Sequence, residues 1–274
     1  MSSTNERQHL RPDVPSAFKR SWLPAAQLFK IVAALVMAAA VLPTAFASTE
    51  QPAGLVRKIS LPPSAELHYR IKAKQSGLTI DGDGQVQWEA GGGKFSVTSE
   101  SRAGIFGKVL EAKSVGDIDQ FGLAPASFQD KRFRKAATTT TFDRQAKSIS
   151  FSTAPVTYPI KGGEQDRNSV IWQLIAVARG AESKFKPGSE WTFFVAGQRD
   201  AEPWHFKVGQ TEKIRTALGE LNAVHIVRAP PPDDKGQRLD IWLAPSLEWY
   251  PARLRFTDPD DEFIEQTLDS ITKK

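Results

Sequence analysis

Beyond residue 64 the chain alternates between apolar and polar side chains over most of its length. Leu67, Tyr69 and Ile71 are separated by the polar residues His68 and Arg70. Successive side chains of a β-strand point to opposite faces, so this period of two predicts a half-buried strand. Comparable segments follow at 86–90, 95–97, 109–118, 126–134, 137–143, 148–152, 191–196, 204–208, 213–218, 222–229, 238–244, 252–257 and 263–272.

The connections between these segments are short and contain residues that favour turns. Acidic clusters at 81–84 and 258–262 lack the ligand spacing of a calcium site, and Asp and Gly stabilise turns, so both predict turns. Glycine runs at 91–93 and 162–163 lack the strand and helix that flank a phosphate loop, so they also predict turns. Many short strands with short connections predict a mainly β fold, a curved antiparallel sheet or half-barrel built as a meander.

One segment has the spacing of an α-helix. Its apolar stripe consists of Val170, Ile171, Leu174, Ile175 and Ala178. Asp166 or Asn168 can cap the helix, and Gly180 can end it. Only Gln173 and Arg179 are clearly polar between these ends, and a helix that is apolar on most sides must be covered on more than one side. We therefore expect it to pack on the concave face of the curved sheet.

The N-terminal region predicts export. Residues 31–42 are an unbroken apolar run that follows Lys30, and small residues come after it. The run is shorter than the ~20 apolar residues that span a bilayer. This pattern is typical of a signal peptide, which predicts residues 1–47 as the leader and cleavage between Ala47 and Ser48, with the mature chain in the periplasm. The alternative is an uncleaved segment that tethers the protein to the inner membrane.

The remaining chain is predicted to contain a flexible, proline-containing lead-in at 48–64 and a single all-β domain at 65–274. The whole chain has 36 Lys and Arg against 31 Asp and Glu, a net charge of +5. Residues 1–47 contain five basic and two acidic residues, so the mature charge is +2. Such a nearly neutral chain lacks the charge of a nucleic-acid-binding protein. It has no cysteine, so its core must hold it without disulfides.

The residues with catalytic or metal-binding chemistry form no recognisable constellation. His68, His205 and His225 have no metal-ligand spacing and are interpreted as strand histidines. No nucleophile turn of the G-x-S-x-G kind is present. The sequence therefore predicts no catalytic residue, metal or cofactor, and a protein that is not an enzyme.

The dense basic run at 131–135 has two interpretations. It could be a solvated sheet edge that is protected by charge against aggregation. It could instead contact anionic lipid head groups or an acidic partner. Membrane contact of the mature protein is expected to be peripheral at most.

Six tryptophans occur after the leader, and most lie where a side chain would point inward. They are Trp88, Trp172, Trp191, Trp204, Trp242 and Trp249. A sheet core explains them, since aromatic side chains dominate core area. An apolar cavity is the other explanation, and the residues expected to line it are Trp172, Leu174, Trp204 and Trp242.

The chain resembles the bacterial envelope family called domain of unknown function 3108. The resemblance is carried by blocks at 165–174, 219–228, 242–245, 249–256 and 265–268, and it extends over roughly residues 65–272. Asp261 departs from the pattern, because a turn glycine is expected there. The resemblance implies a curved antiparallel sheet with a helix on its concave side, similar to periplasmic lipoprotein carriers.

The sequence is compatible with two functions. The first is binding or carrying an apolar ligand, such as an acyl chain or a lipidated peptide, between the sheet and the helix. The second is a structural or protein-interaction component of the envelope, with a filled core and an envelope protein as its partner.

Overall fold

The structure is a computed structural model, and it describes residues 54–230 and 236–274. The predicted leader and its cleavage site lie outside the described residues. Fifteen strands are described: β1 Ala65–Gln75, β2 Leu78–Gly91, β3 Lys94–Ala103, β4 Gly107–Asp119, β5 Gly122–Arg132, β6 Thr138–Asp143, β7 Ser148–Phe151, β8 Ala154–Pro159, β9 Gln165–Asp166, β10 Glu190–Ala196, β11 Ala201–Thr216, β12 Gly219–Arg228, β13 Arg238–Ala244, β14 Tyr250–Thr257 and β15 Phe263–Lys273. The α-helix within these ranges, α1, is Ser169–Gly180, and short 3₁₀ turns are Gly104–Phe106, Glu182–Lys184 and Pro245–Leu247.

All fifteen strands belong to one curled sheet. Its order is β8-β7-β6-β5-β4-β3-β2-β1-β15-β14-β13-β12-β11-β10-β9. The first and last long strands, β1 and β15, pair at the middle of the sheet, and the other neighbours are consecutive in the chain. Every pair is antiparallel except β9 and β10, which pair in parallel over two residues. The predicted mainly β meander is confirmed.

The two ends of the sheet meet through side chains. One apolar cluster combines Phe128, Phe142, Ile149 and Phe151 from β5–β7 with Phe194, Ala196 and Ala201 from β10 and β11. Hydrogen bonds join the same regions: the Thr140 hydroxyl donates to the Gly197 carbonyl at 2.7 Å, and that of Thr153 donates to the Gln198 carbonyl at 2.6 Å. The sheet therefore curls like a barrel although its edges form no ladder with each other.

The helix is part of the largest apolar cluster. Residues 172–178 are all buried, including the polar Gln173. The Trp172 ring stacks on Trp88 of β2, with centroids 4.3 Å apart and planes 6° apart, and meets Tyr250 of β14 edge-on at 6.2 Å. These strands are separated by two others in the sheet, so α1 joins distant parts of the same core. The predicted helix is confirmed.

The acidic segment 81–84 corrects a prediction. It is not a turn but part of β2, where Gly82 pairs with Ile71 and Gly84 with Tyr69. The chain reverses earlier, at Ser76 and Gly77, which both have positive φ. Gly82 is needed for space, because a Cβ there would lie 2.3 Å from the Arg102 carbonyl oxygen of β3. Close approach of neighbouring backbones therefore explains a Gly-containing strand that resembles a turn.

The second acidic segment is a turn, as predicted. It connects β14 and β15, and the Asp258 amide donates to the Glu262 carbonyl at 2.8 Å. Asp261, where a glycine is expected, has φ 59°. This left-handed conformation is the one that glycine adopts most readily and that Asp tolerates.

The basic run corrects a second prediction. Residues 131–135 are not on an edge strand, because β5 lies between β4 and β6. The strand ends at Arg132, and the remaining residues form the turn before β6. The sequence also did not predict β8 and β9, and it divided β11 into two strands at the irregularity between Val208 and Thr211. Short or bulged strands lose the strict period of two on which the prediction depends.

Candidate functional site

A cleft lies at the end of the sheet where β4 turns into β5. Its volume is about 60 Å³, and it is partly open to solvent. It is lined by Leu55, Arg57, Phe121, Gly162, Gly163, Gln173, Thr192, Phe193 and Phe194. The walls therefore come from the lead-in, the β4–β5 turn, the loop before β9, the helix and β10.

Gln173 fixes the helix to the wall of the cleft. Its side-chain amide donates to the Phe121 carbonyl at 2.9 Å, and its carbonyl accepts from the Leu123 amide at 2.8 Å. Gly122 lies between these two partners with φ +114°, and a Cβ there would be 2.3 Å from the Gln173 side chain. A buried polar side chain that satisfies two backbone groups holds the helix in one position.

Arg57 supplies the positive charge of the cleft. Its guanidinium donates to the Thr192 carbonyl at 2.9 Å and lies 5.4 and 5.0 Å from the ring centroids of Trp191 and Phe193. Burial lowers the pKa of the Arg57 guanidinium below its ordinary value. Aromatic faces and one backbone carbonyl therefore hold the Arg57 cation. The strand that supplies these contacts, β10, pairs with β9 only at Val195 and Ala196.

The lead-in forms the outer wall of the cleft and then follows the helix. The Ser60 amide donates to the Ala176 carbonyl at 2.9 Å, and a Cβ at Gly180 would lie 2.5 Å from Ile59. Further along, the Pro62 carbonyl accepts from the Trp88 indole at 3.2 Å. By contrast, Leu55 and Val56 are 61% and 69% exposed. The lead-in is therefore held near the helix by backbone contacts and at the cleft by Arg57, whereas Leu55 and Val56 are exposed.

The helix is capped by Asp166, one of the two predicted caps. Its Oδ1 accepts from the amides of Asn168 and Ser169, each at 2.8 Å, and from the Ser114 hydroxyl at 2.6 Å. The Ser169 hydroxyl accepts in return from the Asp166 amide at 2.9 Å. The Asn168 side chain instead donates to the Val97 carbonyl at 3.1 Å. We call Ser114, Asp166, Asn168 and Ser169 the inner cap.

The electrostatics of the inner cap are set by burial. Asp166 is fully buried, and its Oδ2 has no hydrogen-bond partner. Burial raises the pKa of the Asp166 carboxyl, and the hydrogen bonds from Ser114, Ser169 and Asn168 oppose this change without cancelling it. The inner cap therefore makes ionisation of the Asp166 carboxyl less favourable than it is in water.

The four predicted ligand-binding residues do not surround one space. Trp172, Leu174 and Trp204 belong to the largest apolar cluster, where Leu174 has no exposed surface. Trp242 belongs to a different cluster. Its neighbours on β13 point into the main core, so Trp242 points to the opposite face of the sheet. None of the four lines the cleft.

Trp242 is instead the centre of a charged group on the outer face. Its ring stacks on His225, with centroids 4.6 Å apart and planes 3° apart, and its indole donates to Glu212 at 2.8 Å. His225 lies between two carboxylates, 3.0 Å from Glu212 and 2.7 Å from Asp240. Arg238 donates to both oxygens of Asp240, at 2.8 and 2.7 Å. We call these five residues the outer cluster.

Asp240 titrates differently from Asp166. Burial opposes ionisation of Asp240, but the hydrogen bonds from His225 and Arg238 and the Arg238 charge outweigh it, so the pKa of Asp240 is lowered.

The other two histidines of the predicted mature chain lie outside the outer cluster. His68 lies 2.8 Å from Glu66, and His205 lies 2.9 Å from the Thr192 hydroxyl. No group of three or more acidic or histidine side chains within the described ranges could hold a metal ion.

Sequence reasoning did not find the residues that line the cleft. Arg57 lies in the irregular lead-in, and Phe121 lies in a two-residue turn, so neither belongs to a periodic segment. Gln173 offered a signal, because it is a polar residue in the middle of an apolar helix. A buried polar group needs a partner, and this requirement could have indicated a hydrogen-bonded contact there.

Residues 65–269 match the family model for DUF3108, a protein of unknown function. The chain therefore belongs to the DUF3108 family, and the suspected resemblance is confirmed. No curated protein matches the chain. Among the described residues, no helix combines the length and the apolar character needed to cross a membrane.

Solved structures resemble the chain at low sequence identity. A β-barrel-like protein of the DUF1849 family from Brucella abortus is 12% identical, with a TM-score of 0.52, and the match covers 80% of this chain and all of that one. This likeness supports a barrel-like fold. A proposed outer-membrane lipoprotein-sorting domain from Vibrio parahaemolyticus is 7% identical, with a TM-score of 0.28, over 77% of this chain and 86% of that domain.

Proposed function

We propose that the protein is an exported, non-enzymatic envelope protein that binds the apolar chain of an anionic amphiphile at the cleft. The observation that carries the proposal is the combination of Phe121 and Phe193 with one cation, Arg57, in a single opening beside the helix. Aromatic walls bury an acyl chain, and a guanidinium binds a carboxylate or phosphate at its end. We infer that α1 lies on the concave face of the sheet, since its contacts reach both β2 and β14.

The size of the cleft limits how a ligand can enter. About 60 Å³ accommodates the end of an apolar chain, whereas a pocket for a whole ligand has about 300–1,000 Å³. Leu55 and Arg57 form the outer wall, and the exposed Leu55 and Val56 contribute little packing there. Movement of the exposed Leu55 side chain would extend the cleft and leave Arg57 and the buried helix in place.

Binding is tested by titrating the mature protein with a fluorescent fatty acid. We expect saturable binding by the wild type and weaker binding by Leu55→Trp, because the larger side chain fills the cleft from an exposed position. Val56→Trp is the matched control, since Val56 is exposed and does not line the cleft. Arg57→Gln should weaken binding of the acid but not of the corresponding alcohol, whereas Lys58→Gln should change neither.

A filled core favours the second candidate, a structural or protein-interaction component of the envelope. Trp172 and Leu174 are buried in close packing, and Leu174 is fully enclosed. Leu174→Trp should therefore overpack the core and cost about 1–3 kcal/mol, measured by urea unfolding. Absence of saturable fatty-acid binding by the wild type would reject the ligand-binding proposal and leave this one.

The proposed location rests on the predicted leader. Intact-mass measurement of protein from the native envelope should give a chain that begins at Ser48. A full-length species in the inner membrane would instead support the tethered alternative.

A further inference from the structure

Two connections of the sheet meet at the end opposite the cleft. The turn Gly104–Phe106 joins β3 to β4, and the turn after Arg132 joins β5 to β6. Leu110 near the start of β4 pairs with Arg132 at the end of β5, and the Phe133 amide donates to the Val109 carbonyl at 2.8 Å. The two turns are therefore neighbours, held together by the backbone.

An aromatic pair lies where these turns touch. The rings of Phe106 and Phe133 meet edge-on, with centroids 6.3 Å apart, and both residues are half-buried. The Arg134 guanidinium lies 5.0 Å from the Phe133 centroid. Arg134 itself has φ 56°, so the chain reverses direction at this residue. Half-buried aromatic rings flanked by cations are typical of groups that enter the boundary between water and lipid.

Cations outnumber carboxylates around this pair. The six cations are Arg102, Lys108, Lys131, Arg132, Arg134 and Lys135. The four carboxylates are Asp83, which is the cross-strand partner of Arg102, and Glu100, Glu111 and Asp130. Lys108 bridges Glu100 and Glu111 at 2.7 and 2.9 Å, and Arg132 lies 3.2 Å from Asp130. The group has an excess of two positive charges, and with the two phenylalanines we call it the basic rim.

We propose that the basic rim docks the protein on the surface of an anionic phospholipid membrane. Charge complementarity selects the surface, since each Lys or Arg near an anionic bilayer strengthens binding by about fivefold. The aromatic pair adds an apolar contact at the level of the lipid head groups. An acidic protein surface offers less apolar material for such a contact. Contact at the turns leaves the sheet intact and is peripheral.

This docking is independent of ligand binding at the cleft. Phe121 of the cleft lies in the turn between Asp119 and Gly122, whereas the basic rim lies at the other ends of β4 and β5. Docking would therefore hold the mouth of the cleft away from the bound membrane. Failure of either proposal leaves the other open, because no residue is shared.

The test is co-sedimentation of the mature protein with vesicles. We expect binding to vesicles that contain phosphatidylglycerol, loss of binding in high salt, and no binding to vesicles of phosphatidylcholine alone. The triple variant Lys131→Glu, Arg134→Glu and Lys135→Glu should bind about 100-fold more weakly, from about fivefold for each lost cation.

A matched control reverses three exposed lysines outside the basic rim, in the lead-in and in the segment after the helix. The substitutions are Lys58→Glu, Lys184→Glu and Lys186→Glu, which should leave vesicle binding largely unchanged. Equal loss in this control would overturn the proposal, because net charge and not the basic rim would then drive binding. Absence of vesicle binding by the wild type at low salt would also overturn it, as would binding to an acidic polypeptide without binding to vesicles.

The orientation can be measured because the chain has no cysteine. A single fluorophore on Ala136→Cys, next to the turn, should shift to the blue when vesicles are added. The same fluorophore on Ser183→Cys, in an exposed turn elsewhere, should not shift. A shift at Ser183 without one at Ala136 would contradict docking through the basic rim.

Discussion

Asp166 and Asp240 are both buried, and their carboxyl groups have opposite pKa shifts. Asp166 in the inner cap receives hydrogen bonds from hydroxyl and amide groups, and its pKa is raised because burial dominates. Asp240 in the outer cluster also loses solvent, but His225 and Arg238 lower its pKa. Burial alone therefore does not decide the charge of a carboxyl group: the presence of a cation does.

The position of each aspartate in the fold explains the difference. The inner cap lies at the start of a helix enclosed by the sheet, where its partners are serine and backbone groups. The outer cluster lies on the face of β13 that points away from the core. Long cationic side chains can cover that face while their charged ends remain near water. The inner region is thus stabilised by apolar packing and neutral hydrogen bonds, and the outer region by charges around one tryptophan.

The largest expected difference concerns the tryptophan of each region. Trp172→Ala should destabilise the protein by about 3–5 kcal/mol, because it leaves a cavity between Trp88 and Tyr250 that the surrounding structure cannot fill. Trp242→Ala should cost less, about 1–3 kcal/mol, because water and the Arg253 side chain can occupy the vacated space on the outer face. Urea unfolding at neutral pH gives both values.

The same two variants test whether charges stabilise the outer region and apolar packing stabilises the inner region. Trp242→Ala should become less costly in high salt, which already weakens the charges of the outer cluster, whereas the cost of Trp172→Ala should not change. A larger loss of unfolding free energy for Trp242→Ala than for Trp172→Ala would mean that the outer cluster stabilises the fold more than the apolar cluster around the helix does.

The next prediction concerns the inner cap. Asp166→Ala should cost about 2 kcal/mol, because two helix amides and the Ser114 hydroxyl lose their acceptor. Asp166→Asn keeps an acceptor and should be nearly neutral. The folded pKa of Asp166 is raised above 3.8, so its stabilising effect is complete below that pH and declines as the pH rises through the folded pKa.

The stability of the wild type relative to Asp166→Asn should therefore fall between acidic and neutral pH. Thermal or urea unfolding at a series of pH values measures this difference directly. A difference that grows with pH would mean that Asp166 is stabilised as the carboxylate, and the assignment of burial as the dominant effect would be wrong.

The fold was largely predictable because its strands alternate regularly. The hairpin at Gly92 and Gly93 and the helix from Ser169 follow from local pattern and turn chemistry. The segment 81–84 was mistaken for a turn because Gly82 serves close packing against β3, a contact distant in sequence. Local pattern also cannot reveal that β1 pairs with β15 or that the two ends of the sheet share a core.

The candidate site was less predictable than the fold. The period of two identifies which residues of a strand share a face, but not which face is the core when both are covered. Both faces of β13 are covered, so Trp242 was assigned to the wrong side. The cleft combines Arg57, Phe121 and Phe193, which are far apart in sequence and meet only after the sheet has curled.

The smallest expected effect concerns Asp240, and its sign is opposite to that of Asp166. The folded pKa of Asp240 is lowered below 3.8, so its stabilising effect is complete above that pH and is lost as the pH falls through the folded pKa. Asp240→Asn should cost about 1.5 kcal/mol at neutral pH, since it weakens the hydrogen bonds from Arg238 and His225, and the cost should decrease on acidification. Unfolding of both aspartate variants over the same pH series makes each the control for the other. If the two differences from wild type changed in the same direction with pH, a cation beside the carboxyl could not be what distinguishes the two regions.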